Sequence, residues 1–262
     1  MRISFLAPPG LALWLASTTP LLSAEPIRIQ SGPAATPLLE LFSSEGCSSC
    51  PPAETWLSRL KNDPRLWKDF VPVAFHVDYW DYLGWKDPFA VKAYSERQRA
   101  YAAQWRSDSV YTPGFFLNGK EWRGWSHRDA PAGDTTKSPG VLTAVSEDGR
   151  QWHLQFAPTV TGTAAKYEFH AALLGFEINS NVRAGENRGR VLAHDFAVLA
   201  DTQVSATNDG QSFRGTLVLP GKPAQSAKRL AVAAWVTAAG NMQPVQSSGG
   251  WLPSGMKSNG PP

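Results

Sequence analysis

The feature that most constrains this chain is the segment FSSEGCSSCPPAE, residues 42–54, which holds its only two cysteines. Cys47 and Cys50 are separated by two residues and stand directly before Pro51 and Pro52. Apolar residues after the prolines recur at the spacing of one helix face, and proline is tolerated only in the first turn of a helix. The segment therefore predicts that both cysteines lie at the N-terminal edge of a helix.

The residues on either side of this segment predict alternating strands and helices. The ranges 37–42 and 70–77 are apolar runs typical of buried strands. Asp87 and Pro88 indicate a cap and a first-turn proline, and apolar residues from Ala90 onward then follow one helix face. The N-terminal half is thus expected to run from strand to cysteine-bearing helix, then to a second strand and helix.

A hairpin is predicted at the end of this half. Thr112 and Pro113 lead into the apolar run 115–117, and Asn118-Gly119 is a strong two-residue turn signal before the return strand 120–122. Seven of the eleven tryptophans lie between residues 56 and 125, and at least half are expected to be core residues; the alternative is an apolar docking surface.

The sequence changes character after residue 126. Residues 129–140 are rich in Pro, Gly, Asp and Thr and are predicted to be a linker, as are residues 25–36. Short apolar runs separated by turn residues then predict a sandwich-like antiparallel domain over 141–252, followed by a flexible tail at 253–262. The predicted strands are 141–145, 152–156, 167–176, 190–199, 212–219 and 230–236.

The N-terminus predicts export. Residues 1–24 carry Arg2, a mostly apolar stretch and a small residue at Ala24, as in a secretory signal peptide; the alternative is a disordered extension. A periplasmic or secreted location would put the cysteines in an oxidising compartment. No later segment reaches about 18 consecutive apolar residues, so no transmembrane segment is predicted in the mature protein.

Charge and composition narrow the function classes. The chain has 262 residues and a formal net charge of +3, and its basic residues are scattered, which excludes an electrostatic case for a nucleic-acid partner. No cofactor is predicted, and the sequence leaves the oligomeric state open.

The order of elements around the cysteines resembles the thioredoxin fold, whose motif matches Cys47-Ser48-Ser49-Cys50. The stretches LLELFSSEGCSSCPPAE, FHVDYWDYLGW and YTPGFFLNGKEWRGW also resemble a family of exported bacterial proteins of uncharacterised function. The resemblance covers residues 37–125 well and the remainder loosely. It implies an α/β thioredoxin-like domain, residues 37–128, followed by an all-β sandwich-like domain.

The cysteine pair predicts thiol–disulfide oxidoreductase activity with a protein thiol or disulfide as partner. Unpaired N–H groups and the dipole at a helix N-terminus favour a thiolate, so Cys47 is expected to be the exposed nucleophile. Cys50, one turn inward, is expected to be the resolving thiol. Glu45, two residues before Cys47, is expected to be exposed.

The resemblance implies further catalytic residues. Pro113 would be a cis-proline facing the disulfide, with the backbone of Thr112 exposed for strand-like pairing with a bound polypeptide; the alternative is a trans proline at an edge strand. Glu40 would be the buried acid that relays the proton of Cys50. The alternative is an edge-facing or hydrogen-bonded glutamate.

Four residues at the end of the second predicted strand, or directly after it, are predicted to line the site as substrate-binding residues: His76, Asp78, Tyr79 and Trp80. This strand is expected to lie parallel to the one before the cysteines, and the carboxyl ends of parallel strands meet at one edge of a sheet. The alternative for His76 and Asp78 is a hydrogen-bonded pair that shapes the loop. Residues 183–196, including His194, are assigned no chemistry.

Two other functions remain open from the sequence. The two thiolates, with His76 as a third ligand, would suit a copper- or zinc-handling protein, although no metal ligand is assigned. A non-catalytic binding module with a structural disulfide is the other possibility. Closing a four-residue loop stabilises by only about 2 kcal/mol in the chain-entropy model, which argues mildly against a staple.

Overall fold

The computed structural model describes residues 25–134, 136–160, 166–219 and 227–253. The predicted signal peptide, residues 1–24, lies outside this part of the chain, and so does the predicted tail apart from Pro253. Within the described residues, no helix is both long and apolar enough to cross a membrane.

The N-terminal half contains five strands and three α-helices among its described residues. The strands are β1 Ile27–Gln30, β2 Leu38–Ser43, β3 Val71–His76, β4 Gly114–Leu117 and β5 Lys120–Glu121. The helices are α1 Cys50–Arg59, α2 Lys92–Gln104 and α3 Gly124–His127. Single 3₁₀ turns lie at Leu60–Asn62 and Asp81–Leu83.

The regular secondary structure of the C-terminal half consists of strands among its described residues. They are β6 Gly140–Ser146, β7 Gln151–Pro158, β8 Tyr167–Phe176, β9 Ile178–Asn181, β10 Val191–His194, β11 Ala197–Ser205, β12 Thr207–Asn208, β13 Phe213–Val218, β14 Arg229–Ala238 and β15 Pro244–Trp251. The run predicted as one strand over 190–199 is therefore divided between β10 and β11.

Strands from both halves form a single large sheet. Its order is β15-β14-β8-β11-β3-β2-β4-β5, with β3 parallel to β2 and β4 antiparallel to β2. A five-stranded antiparallel sheet has the order β1-β6-β7-β13-β12, and β10 pairs with β9 separately. The range predicted as an N-terminal linker thus contains β1, which pairs with β6.

The prediction of an α/β thioredoxin-like domain followed by an all-β sandwich-like domain is wrong. The described residues contain fifteen strands and only three α-helices, and the fold is β-rich with large mixed and antiparallel sheets. β3 is not the edge strand of a sheet confined to the N-terminal half, because β11 lies parallel to it and pairs through Ala197 and Ala74. The N–H of Ala74 donates to the carbonyl of Phe196 at 2.9 Å, which joins the two halves through backbone.

Strands β2, β3, β8 and β14 of the large sheet are buried on both faces, which accounts for their apolar sequences. Phe169, Ala171 and Leu173 of β8 pack toward the five-stranded sheet. The alternate residues Ala172 and Leu174 pack into the core that also holds β2, β3 and α1. Because side chains alternate along a strand, apolar residues at successive positions fill two separate cores.

The two longer helices cover opposite faces of β2, β3 and β4. Trp56 of α1 contacts Phe115, with ring centroids 5.3 Å apart. Tyr101 of α2 stacks on Phe116, the residue that follows Phe115 in β4, with ring centroids 5.1 Å apart. Neighbouring residues of β4 point to opposite faces, so α1, which carries Cys50, is separated from α2 by the sheet.

Helix α2 begins later than its sequence predicts. Asp87 was expected to cap it, but the helix starts at Lys92, and its flanking residue Val91 is extended with no side-chain cap. The carboxylate of Asp87 instead accepts from the N–H of Phe89 at 2.9 Å and is buried. Its remaining contacts belong to the candidate site.

Candidate functional site

The cysteine pair lies at the first turn of α1, as predicted. Cys50 is the first residue of the helix, and Pro51 and Pro52 occupy positions where no intrahelical N–H donor is needed. The Sγ atoms of Cys47 and Cys50 are 2.6 Å apart, and both thiols are free and buried. The expected exposure of Cys47 is therefore wrong: Ser48 and Ser49 are exposed and cover the pair, which lies just beneath the surface.

The two thiols differ in their protonation. A hydrogen bond donated by Cys50 is the main cause that lowers the pKa of Cys47 to about 6, against the opposing effect of burial. The Ser49 hydroxyl, 3.2 Å from Cys47 Sγ, lowers it further. Burial, with the adjacent Cys47 sulfur, raises the pKa of Cys50. Cys47 is therefore the thiol able to ionise near neutral pH.

The peptide bond between Thr112 and Pro113 is cis, which confirms the prediction for that bond. The carbonyl oxygen of Thr112 lies 3.8 Å from Cys47 Sγ and 3.5 Å from Ser49 Oγ. The indole Nε1 of Trp80 donates to Thr112 Oγ1 at 2.7 Å. Trp80, Thr112 and Cys47 are thus brought together.

A loop of the C-terminal half binds the segment between β2 and α1, residues 44–49, which we call the cysteine loop. Asn187, which is fully buried, donates to the carbonyls of Glu45 and Cys47, each at 2.9 Å. The carboxylate of Glu186 accepts from the N–H of Ser48 at 2.9 Å. These residues lie in the range 183–196, to which the sequence assigned no chemistry.

A buried cluster of two imidazoles and three carboxylates adjoins the cysteine loop. We call it the histidine–carboxylate cluster; its members are Glu45, Glu54, His76, Asp87 and His194. His194 contacts Glu54 through Nδ1 at 2.5 Å and Glu45 through Nε2 at 2.9 Å. His76 Nδ1 lies 2.8 Å from Asp87 Oδ2, and that oxygen also accepts from the N–H of Glu45 at 2.8 Å.

Neighbouring side chains occupy most of the remaining polar atoms of the cluster. The Ser43 hydroxyl donates to Glu54 Oε1, and the Trp85 indole donates to Glu45 Oε2 at 2.6 Å. The ring of Phe89 lies against both imidazoles, 5.1 Å from His76 and 5.0 Å from His194. His76 Nε2 differs from these atoms, because it is buried and has no hydrogen-bond partner among the described residues.

Burial and charge act in opposite directions within the cluster. Burial would lower the pKa of His194, but Glu54 and Glu45 outweigh it and raise that pKa to about 10. Burial would likewise lower the pKa of His76, and Asp87 raises it. Burial would raise the pKa of Glu54, but its charge and hydrogen-bond interactions with His194 hold that pKa below the ordinary value. Glu54, His76 and His194 therefore favour their charged forms.

Glu40 lies on the other face of the sheet from the cysteines. Its Oε1 accepts from Arg97 Nε at 2.9 Å and also from Nη2, while its Oε2 is buried without a hydrogen-bond partner among the described residues. Arg97 belongs to α2 and also lies over the rings of Phe75 and Trp235. The structure places Glu40 in this ion pair and gives it no hydrogen bond to either cysteine.

Asp78 and Tyr79 form hydrogen bonds with side chains of α2. The Ser95 hydroxyl donates to Asp78 Oδ1 and accepts from the Asp78 N–H, and Tyr79 donates to Gln98 Oε1 at 3.1 Å. Gln98 Nε2 in turn donates to the carbonyl of Tyr111, next to Thr112, at 2.7 Å. His76 pairs with Asp87, so the alternative of a His76–Asp78 pair is not what forms.

Sequence reasoning missed most of the histidine–carboxylate cluster. Glu54 carries a local signal, since it lies one helical turn after Cys50, but Glu45 was expected to be exposed and is fully buried. The sequence assigns no chemistry to His194, because this residue has no partner at ligand spacing. Its partners are 140 and 149 residues away, and only the packing of β10 against α1 brings them together.

The fold and site define a β-rich protein with a free cysteine pair at a helix N-terminus, next to a buried histidine–carboxylate cluster. Residues 38–237 match a protein family described as "Protein of unknown function (DUF1223)". The chain belongs to this family. No curated protein matches it.

Two solved structures are similar to the chain. One is the crystal structure of a protein from Agrobacterium tumefaciens, a Northeast Structural Genomics Consortium target, which is 25% identical with a TM-score of 0.56; the match covers 84% of this chain and 94% of that one. The other is HBP35 of Porphyromonas gingivalis, 12% identical with a TM-score of 0.54, covering 84% of this chain and 76% of that one. The second likeness shows the fold alone.

Proposed function

We propose that the protein exchanges disulfides with partner proteins through Cys47 and Cys50. The observation that carries this proposal is the asymmetry of the pair: the Sγ atoms are 2.6 Å apart, yet the pKa of Cys47 is lowered to about 6 while that of Cys50 is raised. A nucleophilic thiol and a resolving thiol need this difference.

The first step of the exchange is attack of the Cys47 thiolate on a partner disulfide. A bond forms between Cys47 Sγ and one partner sulfur, and the partner S–S bond breaks, so the second partner sulfur leaves as a thiolate and takes up a proton. The hydrogen bonds from Cys50 and Ser49 stabilise the attacking thiolate before it reacts.

Cys50 completes the exchange. It loses its proton and attacks Cys47 Sγ, so that the Cys47–Cys50 disulfide forms and the first partner sulfur leaves as a thiolate. The partner gains two electrons and the cysteine pair loses two. In the mixed disulfide Cys47 no longer carries a charge, which removes one of the causes that raise the pKa of Cys50. The reverse sequence oxidises a partner dithiol.

The partner is expected to be an extended polypeptide in an oxidising, periplasmic or extracellular compartment. The Thr112 carbonyl, 3.8 Å from Cys47 Sγ, is placed to accept a backbone N–H from a peptide that follows the cysteine loop. Trp80 fixes the Thr112 side chain beside this carbonyl. Three further residues stabilise the site through their neighbours. His76 contacts Asp87, and Asp78 and Tyr79 form hydrogen bonds with side chains of α2.

Trapping with a disulfide-bonded model peptide tests the proposal. We expect C50S to accumulate a mixed disulfide between Cys47 and the peptide, identified by mass spectrometry, because the resolving thiol is missing. We expect C47S to react at least about tenfold more slowly, because the pKa of the remaining thiol, Cys50, is raised whereas that of Cys47 is lowered.

The matched control is S48A, which changes an exposed side chain in the same loop and keeps the backbone N–H that bonds to Glu186. It should react like the unmodified protein. Equal trapping by C50S and C47S, or failure of both C50S and the unmodified protein to react with the peptide, would contradict the proposal.

A further inference from the structure

We propose that Glu54, His76 and His194 bind one divalent transition-metal ion, with zinc the best chemical match. One ligand atom from each of the three residues lies within 4.8 Å of the other two, and all three residues are buried. Two imidazoles and a carboxylate form a donor set that suits zinc, copper, iron and nickel.

The unpartnered nitrogen of His76 is the observation that separates this site from an ordinary ion-pair network. His76 is only 1% exposed, and its Nδ1 is occupied by Asp87. Its Nε2 is buried and has no hydrogen-bond partner among the described residues. A buried polar atom without a partner is costly, and a metal ion would satisfy it.

The surrounding carboxylates occupy the positions that metal-binding histidines require. A ligating imidazole usually donates its other N–H to a carboxylate, which fixes the tautomer and the ring orientation. Asp87 meets His76 Nδ1 at 2.8 Å, and Glu45 meets His194 Nε2 at 2.9 Å. This leaves His76 Nε2 and His194 Nδ1 as the two coordinating nitrogens, with Glu54 already beside the second.

The geometry needs a small rearrangement. Zinc–nitrogen and zinc–oxygen bonds of about 2.1 Å in a tetrahedral site place neighbouring ligand atoms about 3.4 Å apart. One ligand atom from each residue lies within 4.8 Å of the other two, whereas His194 Nδ1 and Glu54 Oε2, which are 2.5 Å apart, must separate by about 1 Å. The metal would enter between these two groups and replace their hydrogen bond.

The charge of the cluster is compatible with a dication. Three carboxylates surround the two imidazoles, and the two positive charges of the ion replace those of the protons that the imidazoles give up. Each ring binds through a lone pair, so a proton held on His76 Nε2 or His194 Nδ1 leaves to solvent as the metal enters. The Ser43 hydroxyl then holds the second oxygen of Glu54.

This site differs from the one that the sequence suggested. Cys47 and Cys50 with His76 were considered as ligands for copper or zinc, but the described residues bring His76 together with Glu54 and His194 instead. A site of nitrogen and oxygen ligands leaves both thiols available for exchange. Glu45, two residues before Cys47, connects the metal site to the cysteine loop.

Cobalt(II) binding tests the proposal by a readout independent of activity. The protein is reduced, incubated with excess Co²⁺, desalted, and examined for bound metal and for its absorption spectrum. We expect about one Co²⁺ per chain, with the visible bands of a low-coordinate site and without the near-ultraviolet charge-transfer band of a cobalt–thiolate bond. A cobalt–thiolate band, or no retained Co²⁺, would overturn the proposal.

Variants then locate the ligands. We expect H76Q and H194Q each to weaken Co²⁺ binding by more than about 100-fold, and D87N to weaken it by about 10- to 100-fold. The control H153A removes an exposed imidazole that contacts Thr216, and it should bind Co²⁺ normally. The double variant C47S/C50S should also bind normally.

The same measurements remain decisive if a variant folds poorly, because the spectrum and metal content of the unmodified protein and of C47S/C50S do not depend on it. Circular dichroism verifies the fold of H76Q and H194Q. Binding that persists unchanged in folded H76Q and H194Q, or that is lost in C47S/C50S, would contradict the assignment of ligands.

Discussion

Asn187 donates to the backbone carbonyls of both Glu45 and Cys47, each at 2.9 Å, so one side chain from the C-terminal half fixes the loop that carries Cys47. The side chain is fully buried, and its Oδ1 accepts from Arg190 at 2.7 Å. The two halves of the chain therefore build the candidate site jointly.

Replacing Asn187 should destabilise the protein and loosen the cysteine loop. In N187A two buried carbonyls lose their donor, and we expect the free energy of unfolding to fall by about 3 kcal/mol, measured by urea denaturation. N208A is the control, since it removes an exposed side chain that accepts only a local N–H from Gly210, and it should change stability by less than about 0.5 kcal/mol. Equal effects of the two substitutions would contradict the role of Asn187.

The reactivity of Cys47 should follow its lowered pKa. Its folded pKa of about 6 lies below the ordinary value of 9.0, so the thiolate is present above about pH 6 and is lost as the pH falls through that value. We expect the rate of iodoacetamide alkylation of Cys47 to have its midpoint near pH 6. In C50A the midpoint should move upward, because the largest cause of the lowered pKa is the hydrogen bond from Cys50.

An alkylation midpoint that is the same in C50A and in the unmodified protein would show that Cys50 does not set the acidity of Cys47. Peptide mapping after alkylation assigns the label to Cys47 or Cys50. Cys50 should remain largely unlabelled across the same range, because its pKa is raised.

Gly46 allows the cysteine loop to approach Trp80. A Cβ atom at this position would lie 2.9 Å from Trp80 Cβ and 3.3 Å from its carbonyl oxygen. We expect G46A to destabilise the protein by about 1–3 kcal/mol in thermal or urea unfolding, because backbone rather than a flexible side-chain end must move. G32A is the control, since no atom lies within 4 Å of the added Cβ. A G46A variant as stable as G32A would refute this close approach.

The ion pair of Glu40 and Arg97 should contribute to stability without affecting the thiols. The side chains are 1% and 13% exposed, so R97L leaves a buried carboxylate without its partner and should cost about 3–5 kcal/mol. The double variant E40L/R97L should recover most of this loss. Both variants should keep the alkylation midpoint of Cys47; a shift in either would restore the proton-relay role that the sequence suggested for Glu40.

The sequence predicts the parts of the site that depend on local chemistry. Pro51 and Pro52 place the cysteines at the start of α1, and Asn118 and Gly119, both with positive φ, form the predicted hairpin turn. The fold class is not predicted, because the contact of Ala74 with Ala197 joins strands 123 residues apart and leaves no local periodic signal.

The histidine–carboxylate cluster is missed for the same reason. Asp87 has the sequence context of a helix cap, yet it serves as the partner of a buried imidazole. His194 becomes significant only once β10 lies beside α1. Cys47 and Cys50, by contrast, lie within one helical turn of each other, so the local sequence pattern is enough to bring them together.

The reduction potential of the Cys47–Cys50 pair tests the central claim most directly. The purified protein is equilibrated in glutathione or dithiothreitol redox buffers, and free thiols are trapped and counted. Disulfide exchange predicts a reversible potential between about −120 and −270 mV, the range of known exchange proteins. A value well below about −300 mV would mark a structural disulfide and contradict the account.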